Sequence, residues 1–212
     1  MKRFTALRVL VGALNSSDVA VFVGDSLIKE AHPYDREGNL YLPSEDYIIS
    51  LVAGMAMNTK RRVYLFCEEE YFIRNIGELM QAAVSRCKNL YLFLILNGRY
   101  TAIDDAPTVF DSVSSKHGIL YDMGFLVHNY TKYFEFKNVG REIKSILERT
   151  RGPLSVLLNV EKGDKKLPDV VINHRENMER VINFMSKEEE IGEFIPPVSL
   201  IEVLPEGKLN GI

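Results

Sequence analysis

Residues 61–80 read RRVYLFCEEEYFIRNIGELM, and the fold is decided in the middle of that stretch. RRVYLFC is short, apolar and rich in β-branched and aromatic side chains, which predicts a buried strand. From Phe72 to Arg86 the period changes, with Ile73, Ile76, Met80 and Ala83 recurring at helical spacing. A strand therefore hands over to a helix across Glu68, Glu69 and Glu70. In open α/β sheets, ligands bind outside the carboxyl ends of strands, at corners of this kind. The three acids also have an ordinary explanation, because a carboxylate near a helix N-terminus gains about 0.3–1 kcal/mol.

The same alternation runs along the chain. DVAVFVGDS (18–26), NLYLFLIL (89–96) and PLSVLLNV (153–160) read as buried strands, and TKYFEF (131–136) as a short one. Residues 4–14 place Leu7, Leu10, Val11 and Leu14 on one helical face. PSEDYIISLVAGMAMNT (43–59), VGREIKSILERT (139–150) and HRENMERVINFMSKEE (174–189) read as helices, and 109–117 as a short one. Ala53, Gly54 and Ala56 predict close approach to a neighbouring element. Residues 31–42 and 97–108, with their Pro, Gly, Asp and Asn, read as loops. Strands separated by helical stretches predict a doubly wound α/β domain with a mostly parallel sheet covered on both faces. The loops after Val23, Phe66 and Leu96 then matter most for ligand binding.

At 212 residues the chain is long enough for one large domain, expected over 1–187, with 188–212 as an arm for a subunit contact. A net charge of −3 with scattered basic residues gives no reason to expect nucleic acid. No run approaches the roughly 18 apolar residues of a spanning helix, so no membrane is expected. MKRFTALRVLVGALNSSD (1–18) is broken by Arg8 and reads as an amphipathic helix, not a leader. Cys67 and Cys87 form no C-x-x-C pair and are expected as reduced thiols, which fits the cytoplasm. His32, His117, His128 and His174 stand in different segments without ligand spacing. His32 alone is near enough to the expected pocket to keep in view.

A resemblance to a known family enters at the loops. RNIGELMQAAVSRCKNLYLFLILNGRYT (74–101) resembles the segment that follows the Gly-Asp-Gly metal motif of thiamine-diphosphate enzymes. NGRYTAIDDAPT (97–108) is similar to the asparagine-to-Gly-Gly-Gln-Pro-Thr loop of the sulfopyruvate and phosphonopyruvate decarboxylase group. LLNVEKGDKKLPDVVINHRENMERVINFM (157–185), MKRFTALRVL (1–10) and VGDSLIKE (23–30) are similar to the same group in order and spacing. The resemblance covers about residues 1–187 at low identity. It implies a thiamine-diphosphate-binding fold and thiamine diphosphate with Mg²⁺ as cofactors. It also implies a 2-oxo acid decarboxylase, a carboxy-lyase, whose aminopyrimidine-binding half comes from a separate subunit or a second copy.

Aligned on NIGEL (75–79), the family's Gly-Asp-Gly falls on Glu68, Glu69 and Glu70. The resemblance makes Glu69, Asn97 and the Arg99 carbonyl the ligands of Mg²⁺, and places Ser44, Glu68, Glu70, Gly98 and Tyr100 around the cofactor. The sequence departs from the family in one consistent way. Glu68 and Glu70 stand for the motif's glycines, Glu45 and Asp46 fall in the family's Gly-Ser-Met-Gly loop, and Asp104 and Asp105 replace a Gly-Gly pair. Two charges 4 Å apart at an effective dielectric near 20 interact by about 4 kcal/mol, so such acids oppose a diphosphate. Two readings stay open: a decarboxylase subunit, or a diverged homologue that has lost the cofactor and serves as a binding, scaffolding or regulatory subunit.

Overall fold

A computed structural model describes residues 2–43, 46–100, 106–107, 125–130, 136–161 and 167–187. The elements follow the alternation read from the sequence. Helix α1 (Arg3–Ala13) leads to β1 (Val19–Val23), α2 (Asp25–Ala31), β2 (Asn39–Leu42) and α3 (Ile48–Met57). Next come β3 (Val63–Glu68), α4 (Glu69–Arg74), α5 (Ile76–Ser85) and β4 (Leu90–Leu96). The two-residue strands β5 (Arg99–Tyr100) and β6 (Ala106–Pro107) pair antiparallel. The chain continues through β7 (Leu126–Tyr130), α6 (Phe136–Arg149), β8 (Leu154–Asn159) and α7 (His174–Ser186).

The main sheet has six strands in the order β2-β1-β3-β4-β8-β7, and every pairing is parallel. Its described inner strands are buried on both faces, as continuous apolar runs require. On one face Val19, Val21, Leu65 and Leu92 pack under α3, α5 and α7, through Val52, Leu79 and Val181. On the other, Phe22, Phe66 and Phe93 pack under α1, α2 and α6, through Leu7, Leu27 and Ile143. Their rings stack across the strands, Phe22 on Phe66 at 4.9 Å and Phe66 on Phe93 at 5.0 Å between centroids. Stacked pairs of this kind add about 0.5–1.5 kcal/mol each beyond the area they bury.

From β1 the chain goes to one side, to β2, then returns past β1 to β3. The strand order therefore reverses between β1 and β3, which makes the carboxyl ends of those two strands the switch point of the sheet.

Some local expectations shift. Residues 31–42 were expected as loop throughout, yet Asn39–Leu42 is the edge strand β2, held to β1 from Ala20↔Asn39 to Val23↔Leu42. Four residues after a loop carry too short a pattern to announce a strand. The outer edge of β2 is served by side chains: Asn177 on α7 accepts from Tyr41 N and donates to the Asn39 carbonyl, both at 2.9 Å. The helix expected from Phe72 begins earlier, at Glu69, and is broken at Asn75 into α4 and α5. Of the strand expected at 131–136, residues 131–135 lie outside the described residues and Phe136 opens α6; the strand in that region is β7, just before it. The helix expected at 109–117 and the arm at 188–212 also lie outside the described residues. Ala53 and Ala56 are buried as expected, but a Cβ at Gly54 meets no described atom within 4 Å.

Candidate functional site at the switch point

Gly24 ends β1 with φ 97° and opens α2. The Tyr71 ring of α4 lies against it, so that a Cβ at Gly24 would stand 2.7 Å from Tyr71 Cε2. Tyr71 also donates its hydroxyl to the Pro43 carbonyl at 3.3 Å, just past β2. One side chain thus spans the ends of β2, β1 and β3. Burial first, then Glu70, Glu68 and Asp25 nearby, push the Tyr71 hydroxyl up to about 12. It is a neutral donor across the ordinary pH range.

The three glutamates part company. Glu68, the last residue of β3, meets Arg3 on α1, and Arg3 grips Glu30 of α2 with two hydrogen bonds of 2.9 and 3.1 Å. All three groups are buried. Burial, with Glu30 and Glu70 adding to it and Arg3 opposing, raises the Glu68 carboxyl above its ordinary range. Glu70 pairs with Arg74 at 2.8 Å, one turn along α4. Glu69 is 0% exposed and accepts from the Gly98 backbone N–H at 3.2 Å. Gly98 has φ 69°, a conformation glycine adopts without strain.

The expected site residues therefore converge in part. Glu69 meets the Asn97–Gly98 turn, and α4 packs beside β5, which carries the backbone of Arg99 and Tyr100. Glu68 turns away toward α1 and α2, and Glu70 toward Arg74. Ser44 lies outside the described residues, as do Asp104 and Asp105. His32 lines a separate cleft of about 230 Å³ beside β2, with Asp35, Tyr41 and Arg180. Cys67 and Cys87 are both buried and free, and burial, with a smaller push from Glu68, raises the Cys67 thiol. Among the described residues no group of three or more His, Cys, Asp or Glu is placed to hold a metal.

Two residues outside the expected set shape this end of the sheet. Arg3 shares a helical stripe with Leu7 and Leu10, and an arginine on an apolar stripe was the available signal that it meets a buried acid. Asn75, in the break between α4 and α5, accepts from Tyr47 N at 3.0 Å and donates to the Tyr71 carbonyl at 2.7 Å. Beside it, Glu78 accepts from Ser50 N at 2.8 Å. The free amides at the start of α3 are therefore met by a side-chain amide and a carboxylate of this chain.

The fit to a diphosphate follows from these contacts. An anion at such a corner draws on helix N-termini and nearby cations. Here α4 carries Glu69 and Glu70 in its first turn, and α3 is met by Glu78. Arg3 and Arg74 are already paired with acids, and the Tyr71 ring fills the space over Gly24. The described residues do not fit a diphosphate at this position.

No family model matches the sequence, and no curated protein does. Among solved structures, an enzyme of Mycobacterium smegmatis assigned to the thiamin diphosphate-dependent class superposes with a TM-score of 0.60 at 14% identity. The match covers 78% of this chain and 32% of that one, so this chain spans about a third of that enzyme's length. Transketolase from Leishmania mexicana matches with a TM-score of 0.43 at 16% identity, over 53% of this chain and 19% of the other. Among the described residues no helix is long and apolar enough to cross a membrane. The sheet order, the two helical layers and the first of these superpositions give the chain a doubly wound α/β fold shared with part of that thiamin diphosphate-dependent enzyme.

Proposed function

We propose that the chain is a diverged, non-catalytic member of the thiamine-diphosphate-enzyme group that acts as a binding or regulatory subunit. One observation carries this reading: Glu68, Glu69 and Glu70 are all buried around the start of α4, where the motif's glycines and the cofactor's diphosphate would stand. A diphosphate there would meet the buried Glu69 carboxylate, while Arg3 and Arg74 are already taken by Glu68 and Glu70 and do not offset its charge. Calorimetry of the full chain against thiamine diphosphate with Mg²⁺, alone and with any co-purifying subunit, tests it. The expected result is no binding in either state. Saturable binding that disappears in Glu69→Ala would overturn the reading.

A second reading is favoured by the contact between Glu69 and Gly98, which sets a carboxylate beside Asn97. On it the chain is the small subunit of a 2-oxo acid decarboxylase resembling the sulfopyruvate and phosphonopyruvate group. Glu69, Asn97 and the Arg99 carbonyl would hold Mg²⁺ after Glu69 releases the Gly98 amide. The aminopyrimidine half would come from a partner subunit or a second copy. The same calorimetry separates the two readings.

A further inference from the structure

A cleft of about 300 Å³ lies at the opposite end of the sheet, against the amino ends of β3, β4 and β8. Three separate segments line it: Thr59, Lys60 and Arg62 just before β3; Lys88 and Asn89 before β4, with Tyr91 in it; and Leu147 and Glu148 at the end of α6, with Thr150 and Arg151 before β8. Four cations face it and one acid, in a chain whose net charge is −3. Among the described residues no ion pair joins Lys60, Lys88 or Arg151 to a carboxylate, while Arg62 lies in the field of the buried Asp18 and the Tyr64 hydroxyl.

The fold holds these segments together against the mutual repulsion of their charges. The Asn89 side chain donates to the Ala56, Thr59 and Arg61 carbonyls at 2.9, 3.0 and 2.9 Å. Val63 N donates to the Asn89 carbonyl at 2.8 Å, and Gly152 N to the Lys88 carbonyl at 2.7 Å. Tyr91 donates its hydroxyl to the Thr150 carbonyl at 3.1 Å. At Gly152 a Cβ would run into the Leu90 carbonyl, so the segment bearing Arg151 is pressed directly onto β4. The cations therefore converge on a frame fixed by backbone and amide contacts. Such preorganised like charges favour a polyanion, because its binding removes repulsion without a cost in ordering the walls.

We propose that this cleft binds a small phosphorylated molecule, through Arg62, Arg151, Lys88 and Lys60, with Glu148 limiting its affinity. The site shares no residue with the switch point and stands whether or not that end takes a cofactor.

Calorimetry of the full chain with inorganic pyrophosphate in low-salt buffer tests it. The expected result is saturable one-to-one binding, weakened about tenfold or more in Arg62→Gln and in Arg151→Gln, and tightened in Glu148→Gln. Arg175→Gln, an exposed cation on α7 that takes no part in the cleft, should leave it unchanged. Thermal melts establish that each variant is folded, and Glu148→Gln gives a readout that loss of structure cannot mimic. Absence of saturable binding, or binding indifferent to Arg62, Arg151 and Glu148, would overturn the proposal. So would much tighter binding of a single-stranded RNA 20-mer than of pyrophosphate, which would make the cleft part of a polynucleotide surface.

Discussion

The Tyr71 ring rests on the backbone of Gly24, 2.7 Å from where a Cβ would stand, at a φ of 97°. Two penalties coincide there for any larger residue, a backbone conformation reserved for glycine and a ring held on its far side by Pro43. Gly24→Ala should therefore cost about 2–4 kcal/mol of unfolding free energy. Gly54→Ala in α3 is the control. No described atom lies within 4 Å of its Cβ, and alanine there should stabilise by about 0.5–1 kcal/mol. Urea titrations of both variants compare the midpoints at constant slope.

Arg3 carries the one positive charge between Glu30 and Glu68, and its side chain is only 7% exposed. Arg3→Met leaves two buried carboxylates facing each other, at a cost of about 3–5 kcal/mol. Adding Glu68→Gln to that variant should recover part of the loss, since one of the two charges is then gone. A double-mutant cycle by chemical denaturation reads the coupling.

Glu68 also sets a pH dependence of definite sign. Its carboxyl is raised in the folded chain above the ordinary 4.5, by burial and the neighbouring acids against the pull of Arg3. From pH 4.5 upward the unfolded chain loses this proton while the folded chain keeps it. The folded state then binds more protons, and stability falls with rising pH until the folded pKa is passed. Glu68→Gln removes that slope and keeps an acceptor for Arg3. Its melting temperature should exceed that of the unaltered chain by a few degrees at pH 8 and not at pH 4. Equal differences at both pH values would show that the effect is not titration of Glu68.

The layered fold was legible because its strands are continuous apolar runs. VAVFV and LYLFLIL have no polar face to hide, so they declare a parallel sheet covered on both sides. The features without a sequence signal are short or assembled from distant residues. β2 is four residues long, and its outer edge is completed by Asn177, far along the chain. The alignment set Glu69 near Asn97, and the structure brings its carboxylate to the next residue, Gly98. It gave Glu68 and Glu70 the same surroundings as Glu69, whereas alternation along β3 and one turn of α4 send them to Arg3 and Arg74. The basic cleft was hidden for a simple reason: its cations come from three segments, and along the sequence they look scattered.

The outer edge of β2 has a consequence for how this protein assembles. Asn39 N is taken by the Arg36 carbonyl, the Asn39 carbonyl by Asn177 and Arg180, and Tyr41 N by Asn177. Pro43, the next position on that side, has no N–H to offer. An incoming chain would find both amides of this border and the Asn39 carbonyl already tied, which disfavours lengthening the sheet by strand addition along it. A partner approaching this side of the molecule must meet side chains of α7, not backbone.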